Sequence, residues 1–171
     1  MKKRYIMLAL VLAIAGVFSG CGNKNFASRD LEKVKQYLSS LPDSVDKLQK
    51  QGAFVDRFGG KKSRENWESF YQNVQAGTPD AIEFARYTTE GDAVITYVDY
   101  DGTDFYAVVD TTRDKWGQGQ IAERTYAYLN TYEWESNGNR WIGICLADVP
   151  FSTLEESENS PHRDLGYLKL E

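Results

Sequence analysis

The sequence predicts an α+β domain, with N-terminal helices packed on an antiparallel meander sheet of about five strands in two layers. Three observations predict it. Trp67, Phe70, Tyr71 and Val74 recur at i, i+3, i+4 and i+7, which gathers one apolar stripe on a helix. From Ala81 to Leu146 the pattern changes to runs of β-branched and aromatic residues separated by turn signals. Helical segments come first and strands after, an order that favours α+β over alternating βαβ units.

The first 20 residues stand apart from that domain. Lys2, Lys3 and Arg4 precede an apolar run from Tyr5 to Phe18, then Ser19, Gly20 and Cys21. A basic start, a short apolar run and small residues before a cysteine are the pattern of a bacterial lipoprotein signal peptide. The run is short for a membrane span, which needs about 20 apolar residues. Cleavage before Cys21 and lipid attachment at its sulfur are therefore expected, with a palmitate-type acyl anchor. Two acyl chains on one cysteine would give stable anchoring where one would not. The expected address is the extracytoplasmic face of the cell membrane. Residues 21–27 follow as a tether, and 28–171 as a single domain with a sheet core at about 53–147 and an acidic tail at 150–171.

Within the domain, Leu31, Val34, Leu38 and Leu41 mark a first helix, capped by Ser28 or Asp30 and stopped by Pro42. A turn or two of helix follows between Asp43 and Gln51, ending at Gly52. Ala53–Phe58 is a short strand. Ser63 is the expected N-cap of the Trp67 helix, which Gly77 and Pro79 end. Strands are expected at Ile82–Thr89, Ala93–Tyr100, Thr103–Asp110, Ile121–Trp134 (a long strand, either straight or bent or bulged) and Arg140–Leu146. Asp101-Gly102 and Asn137-Gly138 are two-residue hairpin signals. The first would place Asp99 opposite Asp104. It puts Val94, Thr96, Val98, Phe105, Ala107 and Val109 on one face and Ile95, Tyr97, Tyr106 and Val108 on the other. Both faces are apolar, so both should be covered.

Charge and cysteines narrow the function classes. The chain carries 20 basic and 25 acidic residues. Without the three leader cations the balance is 17 against 25, a formal charge of −8. That excess disfavours nucleic acid, whose phosphates need clustered Lys and Arg. With Cys21 lipidated, Cys145 has no disulfide partner. It lies in the apolar run Trp141–Leu146, as a core cysteine does. A nucleophile would need a base beside it, and the one histidine, His162, stands in a Ser/Pro/Glu-rich stretch.

Phe70-Tyr71-Gln72-Asn73-Val74, Tyr87-Thr88-Thr89-Glu90-Gly91-Asp92, Asp99-Tyr100-Asp101-Gly102 and Asp110-Thr111-Thr112-Arg113-Asp114-Lys115-Trp116-Gly117 recur in order and spacing in a known family. Over about Gly52 to Leu146 the chain resembles these small lipoproteins of Gram-positive bacteria, which share a domain of unknown function. The resemblance implies export, lipid attachment and one α+β domain, and no activity. The long aromatic fourth strand and the acidic tail depart from it.

Three groups are candidate sites. Asp99, Asp101 and Asp104 form an acidic hairpin tip, expected to be solvated, to receive a basic group or to hold a cation. Tyr126, Tyr128, Tyr132 and Trp134 share a face of an unbroken fourth strand. That row would be a recognition surface if open, since Tyr and Trp are favoured at interfaces, or core if the first helix covers it. Trp116 sits in a polar loop and would either contact a partner or fold back as a plug. No catalytic residues, metal ligands or cofactor are expected. The expected role is a non-enzymatic binding or accessory module, whose partners are the membrane and a protein or envelope ligand. The alternatives are a carboxylate-dependent hydrolase and a purely structural envelope protein.

Overall fold

The computed structural model describes residues 26–56, 58–117, 119–151 and 162–169. The expected leader, Cys21 and most of the acidic tail lie outside the described residues. Three helices, α1 (Leu31–Ser40), α2 (Val45–Lys50) and α3 (Lys61–Gln75), accompany eight strands. These are β1 (Phe54–Val55), β2 (Asp80–Tyr87), β3 (Ala93–Tyr100), β4 (Phe105–Asp110), β5 (Ile121–Tyr126), β6 (Tyr128–Ser136), β7 (Asn139–Ala147) and β8 (His162–Lys169).

The single meander of about five strands is corrected to two sheets. One has five strands in the order β1-β2-β3-β4-β5, the other three in the order β6-β7-β8. The long fourth strand accounts for the difference. It breaks at Ala127, so its first half closes the five-stranded sheet beside β4 and its second half opens the other beside β7. The pair β1–β2 is parallel and the remaining pairs are antiparallel.

Two buried clusters form on opposite faces of the five-stranded sheet, as strand alternation requires. Trp67 and Phe70 of α3 meet Ile82, Phe84, Val98, Phe105 and Tyr126, joined by Ile144, Leu146 and Leu165 of the second sheet. Tyr71 and Val74 pack against them, half-buried. The second cluster contains Val34 and Leu38 of α1 and Leu48 of α2 with Ile95, Tyr97, Tyr106 and Val108. Asp30 caps α1, its Oδ1 accepting from the backbone of Glu32 and Lys33 at 3.1 and 3.2 Å.

Ser63 does not cap α3. The helix starts at Lys61 behind Gly60, with no side-chain cap. Ser63 is buried one turn in, where its hydroxyl accepts from Val55 N at 2.6 Å and donates to Val55 O at 3.1 Å. The hydroxyl thus stands in for a neighbouring strand along the edge strand β1. Ser63→Ala strands a buried backbone N–H and C=O, which costs about 1–3 kcal/mol. Urea denaturation checks this, and an unchanged midpoint would rule the role out.

The 101–104 hairpin also differs from expectation. Tyr100 pairs with Phe105 and Asp99 with Tyr106, so the loop has four residues and Asp99 does not oppose Asp104. Asp101 Oδ1 accepts from Thr103 N at 2.8 Å and Asp104 N at 3.1 Å, a side-chain turn that holds the wider loop. Only Gly102 takes a positive φ there, of 101°. The slip is two residues, so each side chain keeps its expected face. Asn137 and Gly138 both have positive φ, 51° and 71°. They close the expected two-residue turn, with Ser136 opposite Asn139.

Candidate functional site: an aromatic row opening into a cationic cleft

The two-residue turn at Asn137-Gly138 fixes what faces what on the three-stranded sheet. Trp134 pairs with Trp141, and Tyr132 with Gly143, which in turn pairs with Tyr167. These residues share the face turned away from the buried cluster that holds Ile144 and Leu146. The aromatic rings form a row. Phe151 stacks on Tyr132 (centroids 5.2 Å apart, planes 1° apart), and Tyr132 on Trp134 (5.5 Å, 28°). Trp134 then lies beside Trp141 (6.3 Å, 15°), with the Tyr167 ring edge-on to it at 5.2 Å. All five are half-buried.

Gly143 lets the Tyr132 ring lie against the sheet. A Cβ at that position would meet the Tyr132 ring at 2.3 Å, so the ring rests on bare backbone. Burial pushes the Tyr132 hydroxyl up to about 12, with Asp164 adding to the shift, so it remains a neutral donor.

At its Trp141–Tyr167 end the row meets a cleft of about 790 Å³. The cleft lies at the seam between the sheets, between β1 and the start of α3 on one side and β7 and β8 on the other. Lys61, Arg64 and Lys169 line it, and among the described residues no Asp or Glu does. Asp56 ties the seam by accepting from Tyr167 N at 3.0 Å. Arg64 Nη2 ties it again by donating to Lys169 O at 2.5 Å.

The candidate residues fall in three places. Tyr126 is core, 6 % exposed, because the break at Ala127 leaves it in the five-stranded sheet. Tyr128 is exposed and outside the stacked row, so only Tyr132 and Trp134 of the expected four come together. Trp116 is 82 % exposed, on a loop that is well braced. Asp114 Oδ1 accepts from the backbone of Trp116 and Gly117, each at 3.0 Å. Lys115 N donates to Asp92 Oδ2 at 3.1 Å, and Arg113 reaches Asp43, Asp110 and two carbonyls of the α1 end. Trp116 is held outward and is not a plug.

The acidic tip meets a cation of its own chain. Arg29 Nε donates to Asp99 Oδ1 at 2.9 Å, and Nη1 to Asp104 Oδ1 at 2.7 Å, with Asp101 Oδ2 at 3.1 Å. Nη2 donates to the Asp104 carbonyl at 3.0 Å. Beside this clasp Ser28 N donates to the Tyr97 hydroxyl at 2.9 Å, and Phe26 stacks on Tyr37 at 4.0 Å. Among the described residues no cluster of His, Cys, Asp and Glu is arranged to hold a metal ion. Cys145 is buried, and burial pushes its thiol up to about 11, which keeps it protonated near neutral pH.

Residues 51–140 match the family described as a domain of unknown function, DUF4362. The chain belongs to this family. The DUF4362 segment runs from just ahead of β1 into the start of β7. It takes in α3, the five-stranded sheet, the Trp116 loop, Tyr132 and Trp134. Arg29, α1, Trp141, Gly143 and Tyr167 fall outside it, so one wall of the cleft is built by residues beyond the DUF4362 match. No curated protein and no solved structure matches the chain.

Proposed function

We propose that this DUF4362 protein is a lipid-anchored, extracytoplasmic binding module without catalytic activity of its own, attached through Cys21. The supporting observation is the row Tyr132–Trp134–Trp141 leading into a cleft with a cationic wall. Half-exposed Trp and Tyr rings give a rigid, amphipathic contact surface at small entropic cost. The hydrolase alternative has less support, because Asp99 and Asp104 are engaged by Arg29. The layering that the two buried clusters favour is α1 and α2 on one face of the five-stranded sheet, with α3 and the three-stranded sheet on the other. Among the described residues no helix is long and apolar enough to cross a membrane, and the proposed attachment rests on the leader and Cys21 alone.

Two experiments test the proposal. Cys21→Ala is expected to move the protein from the membrane to the soluble fraction, and unchanged retention of the cleaved chain would sink the anchor. The purified chain is expected to sediment with envelope material, and Trp134→Ala is expected to weaken that association about tenfold or more. Equal association by a folded Trp134→Ala variant would remove the aromatic row from the function.

A further inference from the structure

We propose that the seam cleft and its aromatic row bind a short acidic saccharide, with an acid group held by the cleft cations and sugar rings laid on Trp141 and Trp134. This rests on the binding-module reading above and names its ligand class.

Charge supplies the first argument. The chain has a formal net charge of −5, yet Lys61, Arg64 and Lys169 line this cleft and, among the described residues, no carboxylate does. A local reversal of sign selects an anionic group and steers it in. The nearby Glu65 lies 3.9 Å from Lys61 Nζ on the exposed side of α3, a surface pair too weak to cancel the site. Arg64 is held by its bond to the Lys169 carbonyl. A guanidinium has five N–H donors in a fixed fork, and this bond uses one of them.

Shape supplies the second. The cleft's 790 Å³ falls within the range of about 300–1,000 Å³ typical of small-ligand sites. Beyond it the rings continue from Trp141 to Trp134 to Tyr132 in steps of 6.3 and 5.5 Å. A ligand that fits both parts has an acid at one end and several flat units with apolar faces and polar edges. Sugar rings have those faces and edges, and Trp and Tyr match them with an apolar body and a polar tip. A lipid headgroup brings the anion but no rings for the row. A long polyanion such as nucleic acid meets the overall negative charge of the chain. A saccharide of a few rings with one acid group avoids both mismatches.

The test uses the purified full chain, with 3′-sialyllactose as an acidic trisaccharide and lactose as its neutral counterpart, read by titration calorimetry and Trp fluorescence. The acidic sugar is expected to bind at least about tenfold tighter than lactose. Trp141→Ala, and Lys61→Glu combined with Lys169→Glu, are each expected to weaken it at least tenfold. Lys35→Glu on α1 is a charge control and is expected to bind as the wild type does. Equal binding of both sugars, binding of neither, or a preference for phosphatidylglycerol vesicles or single-stranded DNA would overturn the proposal. If the sugars fail while envelope association still depends on Trp134, the ligand class falls and the binding-module reading stands. Loss of both overturns both.

Discussion

Trp67→Ala is expected to lower the unfolding free energy by about 3–5 kcal/mol, the usual cost of truncating a buried Trp. Trp67 is 4 % exposed. Its ring meets Phe54 at 6.5 Å, Phe84 at 6.1 Å and Tyr71 at 5.1 Å between centroids. It therefore joins α3 to β1 and β2, and the cavity left behind would lie where helix and sheet meet. Phe70 is fully buried beside it and limits how far the site can collapse. The check is chemical denaturation with the transition followed by far-UV circular dichroism. A midpoint within error of the wild type would mean that α3 does not carry the core.

Arg29→Ala is expected to cost about 2–3 kcal/mol, somewhat below the 3–5 kcal/mol for breaking a fully buried ion pair, because the Arg29 side chain is 33 % exposed. The substitution removes a cation that bridges Asp99, Asp101 and Asp104, and Asp99 is buried. Backbone donors from Asp104 and Thr103, with help from Arg29, hold the Asp101 carboxyl below its ordinary value of 3.8. A depressed carboxylate contributes stability above its unfolded value and loses it as pH falls through the folded one. Wild-type stability is therefore expected to decline as the pH drops below about 4, and Arg29→Ala to reduce that decline only in part, because the backbone donors of Asp104 and Thr103 remain. Asp99→Asn, which a simple like-charge pair would tolerate or favour, is instead expected to destabilise. Melting curves across pH check all three, and an Asp99→Asn variant as stable as the wild type would refute the clasp.

The α3 stripe was legible because a 3.6-residue period names one face without knowing what covers it. The faces of β3 and β4 were legible for a similar reason, since a register slip of two leaves alternation intact. The loop length was not, because the Asp101 carboxylate competes for the turn through its own hydrogen bonds, and the dipeptide Asp-Gly cannot show that. The break at Ala127 has no local signal, since neither Gly nor Pro interrupts Ile121–Trp134. It is set by which sheet each half can complete. Trp141 and Gly143 could have been found. The turn at Asn137-Gly138 already places Trp134 opposite Trp141 and Tyr132 opposite Gly143, so the partners of the row follow by counting. The Arg29 clasp spans 70 residues, and only the folded chain brings its parts together. Cationic walls drawn from α3 and β8 are equally beyond any local pattern.

The clasp also sets how the domain responds to force. Once the Phe26–Tyr37 stack is loaded, tension carried along the backbone reaches Ser28 and Arg29 before it reaches the first turn of α1. Those two residues hand it to Tyr97, Asp99 and Asp104, in the middle of the sheet and at its hairpin tip. The first helix would stay wound until that attachment yields. Because the attachment is largely ionic and partly exposed, added salt would screen it. The first event in a pulling trace should therefore move to lower force as ionic strength rises, while rupture of the apolar core behind it should not.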